Sequence, residues 1–207
     1  MAASMADDRA RVIPLYLSWV GTLCGALLLL LADVLPVRLS FVRPDTLFVC
    51  LTEVEIAFVL FAWPVFVPRL GVGGARLLLE ASVLLLAALP LTLIAANVSN
   101  VGAATFLRSQ ALVGALAALA GALPQLERTR GWRVGPWYVL GAFAASALLP
   151  FLWFAASMIG GADLAWIATL SPFWAAARAD GAAAAVFGGL AATLFAAGRL
   201  GRKAGAS

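Results

Sequence analysis

The stretch LLLEASVLLLAALPLTLIAA (residues 77–96), followed after the short link NVSNVG by AATFLRSQALVGALAALAGAL (residues 103–123), decides the fold class. Each run has the length that one α-helix needs to cross the hydrocarbon core of a bilayer, ~20 mostly apolar residues. The pattern repeats on both sides, at Ile13–Leu35 and Thr46–Val67 before this pair and at Pro136–Ile159 and Ala182–Gly198 after it. The expectation is an all-α polytopic membrane protein: a six-helix transmembrane bundle forming a single domain over residues 1–207.

Composition agrees. Of the 207 residues, 64% are hydrophobic and 12% charged, against roughly a quarter charged in soluble domains, and the mean hydropathy is +1.02. The 14 Lys and Arg outnumber the 10 Asp and Glu, but the positive charges fall mostly between the apolar runs. There they act as topology signals and form no basic face for nucleic acid. The chain has no histidine, which removes His-ligated metal sites and the His general base of hydrolytic triads. No catalytic residue, metal site or cofactor is expected. Cys24 and Cys50 lie within or at the start of apolar runs and read as small buried hydrophobes. No small-x-small cleavage pattern follows the first run cleanly, so it is expected to be a retained helix, with Pro14 in its first turn.

Orientation follows from the basic residues. Ten of the 14 (Arg9, Arg11, Arg69, Arg76, Arg128, Arg130, Arg133, Arg199, Arg202 and Lys203) collect on one side of a six-span arrangement, and Arg38, Arg43, Arg108 and Arg178 on the other. The richer side faces the cytoplasm, so both termini are expected there, in a multi-pass protein of the cell membrane in contact with lipid. Trp132, Trp137, Tyr138 and Trp63 fall near the inner interface, and Trp153, Trp166 and Trp174 towards the outer one, as aromatic anchors do.

Charges inside hydrocarbon are costly and raise functional hypotheses. Glu53 and Glu55 sit in the second span, Glu55 roughly 15 Å along its axis at 1.5 Å per residue. Arg108 and Gln110 sit at comparable depth in the fourth. Arg108 is expected to pair with Glu53 or Glu55, either as a neutralised staple between helices or as part of a substrate or proton path. Two residues apart, Glu53 and Glu55 point to different sides of their helix. Arg76 and Glu80 are spaced to pair along one face. Pro64, Pro90 and Pro150 are kink positions. Gly21 and Gly25, then Gly114, Ala118 and Gly121, then Gly188, Gly189, Ala192 and Ala196 form small-residue faces for close helix packing, within one chain or between two copies.

Between the last two spans, Gly160-Gly161 breaks a helix and Asp163 is placed to cap another. Ser171-Pro172, a cap residue followed by proline, restarts one through Phe173 and Trp174. Two readings stand: a re-entrant helix pair over residues 163–179, covered by protein or a wet cavity, or an amphipathic segment lying on the outer surface.

Six spans, cytoplasmic ends and a broken short-helix pair carrying Ser171-Pro172-Phe173-Trp174 resemble the type-2 ABC exporter permeases. The resemblance covers the chain as topology and one short element as sequence. It implies a permease subunit that works as a homo- or hetero-dimer with a separate ATPase. The ATPase contact would fall on the inner loop with Glu127, Arg128, Arg130, Trp132 and Arg133, whose other reading is a solvated topology loop. Two features depart from the family pattern: only about a dozen residues precede the first span, and the inner loops are short. No Gly-x-x-x-x-Gly-Lys-Ser/Thr loop occurs, and Gly71-Val72-Gly73-Gly74 lacks the lysine of a phosphate cradle. A non-transporting membrane anchor of a larger complex and a small secondary transporter built on Glu55 are the other readings; an intramembrane lipid enzyme is disfavoured by the absent histidine.

Overall fold

A computed structural model describes residues 2–34, 46–64, 74–130, 135–160 and 170–204. Among them every regular element is helical: α1 (Ala2–Val34), α2 (Leu47–Ala57, continued by a π-helical turn Phe58–Ala62), α3 (Gly74–Val98), α4 (Ala103–Arg130), α5 (Gly135–Phe143, a π-helical turn Ala144–Leu148, then Leu149–Gly160), α6 (Pro172–Ala177) and α7 (Gly181–Ala204). Four segments are long and apolar enough to cross a membrane: Ile13–Leu31, Arg76–Val98, Ala103–Leu123 and Gly135–Met158. The second and sixth expected spans are helical but not among these four; α7 carries a shorter apolar segment, Gly181–Ala197. The first helix departs from expectation, because it starts at Ala2 and carries Pro14 in its interior.

Lipid tails are as apolar as leucine, so hydrophobicity does not drive these helices together; close packing and polar contacts do. Large apolar side chains therefore point outward freely, with Leu29, Trp137 and Met158 73–75% exposed. Inward, α1 contributes Leu15, Trp19, Leu23 and Leu27, and α3 contributes Leu77, Ala81, Leu84 and Ala88, each set a stripe at helical spacing. Helix α4 is central, contacting α2, α3, α5 and α7. A Cβ added at Gly114 would lie 3.3 Å from Leu85, and one at Gly121 only 2.2 Å from Leu77. On another side of α4, Arg108 lies against Gly181 and Ala115 against Gly188. The α4 face and Gly188 are thus used within the chain, whereas a Cβ at Gly21, Gly25 or Gly189 would meet nothing within 4 Å.

Paired positions give the direction of each helix. Tyr16 bonds Glu80 and Trp19 bonds Leu84, so α1 and α3 run parallel. Leu85 meets Gly114 and Leu77 meets Gly121, so α4 is antiparallel to α3. Phe48 packs on Phe106, and Glu55 meets Gln110, so α2 runs with α4, as does α7. Tyr138 reaches Leu60, while Glu53 shares a cavity with Ser146 and Pro150, so α5 opposes α2. Helices α1, α3 and α5 point one way, and α2, α4 and α7 the other.

Both π-turns precede a proline. Pro64 cannot donate to the Leu60 carbonyl one turn back, and its ring crowds that carbonyl; the turn Phe58–Ala62 widens there. The Tyr138 hydroxyl donates to the Leu60 oxygen at 2.9 Å and supplies the missing bond. Pro150 follows the second π-turn in the same way. Trp63, expected at the inner interface, is instead fully buried in the bundle. Its neighbour α1 places the Trp19 indole in the core, where Nε1 donates to the Leu84 carbonyl at 2.8 Å. An indole N–H left unpaired in such a setting costs ~1–3 kcal/mol.

Candidate functional site

The two carboxylates of α2 reach different environments, as their spacing required. Glu55 is completely buried. Its Oε2 accepts a hydrogen bond from Gln110 Nε2 at 2.9 Å, and its Oε1 has no partner. The expected ion pair is replaced by this contact: among the described residues no ion pair joins Arg108 to Glu53 or Glu55. The reason is rotational. Arg108 and Gln110 are two residues apart on α4, so when Gln110 faces α2, Arg108 turns to α7 and lies exposed over Gly181.

Glu53, half-buried, lines an open-sided cavity of about 290 Å³ with Ser146 and Pro150 of α5 and Phe173, Trp174 and Ala177 of α6. The wall is positioned by local rules. Ser171, fully buried, caps α6 by accepting from Trp174 N at 3.5 Å, and Pro172 occupies the first turn. Trp153 packs on Trp174 with ring centroids 4.7 Å apart, and the Arg178 guanidinium lies 4.7 Å from the centre of the same ring. Helix α6 ends when Ala179 N bonds Ala176 O at 3.0 Å and Asp180 N bonds Ala175 O at 2.9 Å. This terminal motif puts Ala179 at φ 48°, a left-handed conformation that costs a non-glycine residue ~1–2 kcal/mol. Asp180 Oδ1 then caps α7, accepting from Ala182 N at 2.9 Å. The α6–α7 corner is therefore bonded at both ends, which fixes Trp174 relative to α2.

At the opposite end of the bundle, Glu80 accepts from the Tyr16 hydroxyl and lies 3.7 Å from Arg76 Nε. Glu127, placed by sequence in a contact for an ATPase, accepts from Gly135 N at 2.6 Å. Its carboxylate sits at the N-terminus of α5, where the helix dipole favours it. Arg128 and Arg130 lie on the last turn of α4; Trp132 and Arg133 lie outside the described residues. So does Asp163, together with the first arm of the expected re-entrant pair. Cys24 and Cys50 are separate half-buried thiols.

Sequence reasoning missed Ser146 and Asp180 and read Tyr138 only as an interface anchor. Two signals were present: a serine one turn before an intrahelical proline, and Asp-Gly ahead of an alanine run. Comparison of the chain with protein-family models, curated proteins and solved structures gives no match.

Proposed function

We propose that the chain is the membrane-spanning permease subunit of an ATP-driven transporter, crossing the bilayer six times with both ends in the cytoplasm and working as a dimer with a separate ATPase. The observation that carries this reading is the seat of α6. Ser171, Pro172, Ala175 and Ala176 are buried, and α6 packs on α2 and on the π-turn of α5 over a cavity holding a carboxylate. A short helix lying on a membrane surface would not be enclosed in this way, so its seat favours the re-entrant reading over the surface one.

The crossing number draws support from the strict alternation of α1, α2, α3, α4, α5 and α7. Helix α2, counted from Leu47 to Pro64, is roughly 27 Å long at 1.5 Å per residue, close to the ~30 Å hydrocarbon core. The starts of α1 and α3 and the ends of α4 and α7 share one end of the bundle, and most of the basic residues lie on these segments. The positive-inside rule assigns that end to the cytoplasm.

These 207 residues contain no nucleotide-binding loop, and the proposal assigns ATP hydrolysis to the ATPase partner. A handle for such a motor is available. Helix α4 continues seven residues past Leu123 to Arg130, and Glu127 ties it to the start of α5. A push on that corner moves two helices together, one of which lines the cavity.

Mild-detergent purification of the tagged chain tests the proposal. A stoichiometric ATPase partner, with hydrolysis stimulated by the complex, is the expected result; recovery with only non-ATPase subunits overturns it and favours the anchor. One observation favours a second reading, a proton-coupled secondary transporter: the unpartnered Oε1 of buried Glu55. Loss of proton-coupled uptake in Glu55→Gln, with no ATPase in the preparation, would select it.

A further inference from the structure

Hydroxyl groups in this bundle follow a rule. Ser18, Thr22, Thr52, Ser82, Thr92, Ser157 and Thr193 each donate to a carbonyl three or four residues back, the usual way to satisfy a hydroxyl in a membrane helix. Ser146 departs from it, as Ser109 on α4 does: the Oγ of each is buried without a partner. Ser146 sits in the middle of the π-turn Ala144–Leu148. On the facing wall of the same cavity, Trp174 Nε1 is also buried without a partner. Glu53 supplies the cavity's charge, and among the described residues no cation pairs with it. Arg108 lies over Gly181, Arg76 beside Glu80, and Arg178 on the ring of Trp174.

A carboxylate at this depth is costly unless a positive charge joins it. Aromatic rings beside it add attraction for that charge, and Arg178 on Trp174 is an example already in place. Ser146 Oγ and Trp174 Nε1 are themselves closed off from the cavity, so the group that selects an occupant is the Glu53 carboxylate, and it selects a cation. A cavity of about 290 Å³ holds a headgroup-sized fragment and leaves any long apolar tail outside in lipid.

We propose that this cavity binds the ammonium group of an amphiphilic amine, with Glu53 as counter-ion and Phe173 and Trp174 as aromatic wall. The inference rests on the cavity being the cargo site of the permease and names its class of cargo. The same chemistry is offered by an amino phospholipid and by a soluble amine, and the test separates them.

The full chain is placed in nanodiscs of phosphatidylglycerol, which has no amine, and benzyltrimethylammonium is titrated in by calorimetry. Saturable one-site binding is expected, weakened about tenfold or more by Glu53→Gln, as when one member of a charge contact is removed, and weakened also by Trp174→Leu. Circular dichroism and the unfolding midpoint of each variant confirm folding. Should Glu53→Gln fail to fold, Glu53→Asp, which withdraws the carboxylate towards the α2 backbone, is expected to weaken binding severalfold. Adding phosphatidylethanolamine to the nanodisc lowers the apparent affinity for the probe if the occupant is a lipid headgroup and leaves it unchanged if the occupant is a soluble amine. Absent saturable binding, or equal binding by the Glu53 variant, overturns the inference. An ATPase partner found without probe binding removes only this inference; probe binding without an ATPase removes only the motor.

Discussion

Replacing Gly121 by alanine places a methyl group 2.2 Å from Leu77 Cδ2 and 3.2 Å from its Cγ, where carbon contacts need about 3.5 Å or more. Leu77 is 2% exposed, so it has no solvent to swing into and must leave its rotamer or push α3 from α4. Overpacking of this kind costs ~1–3 kcal/mol. The helix-propensity gain of alanine over glycine offsets about 1 kcal/mol of it, and so close an approach to a buried side chain puts the clash in the upper part of that range, leaving a net loss of ~1–2 kcal/mol. For a chain of this size that lowers the unfolding midpoint by roughly 2–8 °C, measured by tryptophan fluorescence in nanodiscs. Gly189→Ala is the control, because nothing lies within 4 Å of its added Cβ; it should raise the midpoint. Leu77→Val in the Gly121→Ala background removes the clashing methyl and should recover most of the loss. If Gly121→Ala equals or exceeds the parent in stability, the α3–α4 contact is not as described.

Tyr138→Phe strips the Leu60 carbonyl of its donor and should destabilise by ~1–2 kcal/mol; in a Pro64→Ala background, where the backbone can bond Leu60 again, the same change should cost much less, as a double-mutant cycle would measure. Gln110→Leu leaves Glu55 with no hydrogen bond in the bundle interior and should cost ~1–3 kcal/mol, whereas Gln110→Glu with Glu55→Gln, which exchanges the groups, should recover part of it. Ala179→Gly relieves the left-handed strain at the α6–α7 corner and should stabilise by about 1 kcal/mol, read as a higher unfolding midpoint.

Helix positions were legible because their signal is length and apolarity. The fifth span, expected at Pro136–Ile159, is found at 135–160. Helix rotation was less legible. Glu53 and Glu55 had to face different neighbours by their spacing alone, but which neighbour each met depended on how α4 turns, and that is set by Gly114 and Gly121 against α3. Arg108 was therefore matched to the wrong helix. Ser171-Pro172 announced the start of α6, since a cap is a local event. The cavity was not announced, because Ser146 and Trp174 become its walls only when the winding before Pro150 and the corner at Ala179 bring α5 and α6 to α2. Trp63 was hidden for a related reason: an indole in an apolar run reads as an interface anchor until its depth and neighbours are known.

Cysteine labelling of intact cells tests the threading of the chain through the membrane most directly. In a background carrying Cys24→Ser and Cys50→Ser, a membrane-impermeant maleimide should modify Asn100→Cys and Ala179→Cys without permeabilisation, and Ala206→Cys only after it. Labelling of Ala206→Cys from outside, or of Asn100→Cys and Ala179→Cys from opposite sides, contradicts six crossings with cytoplasmic ends.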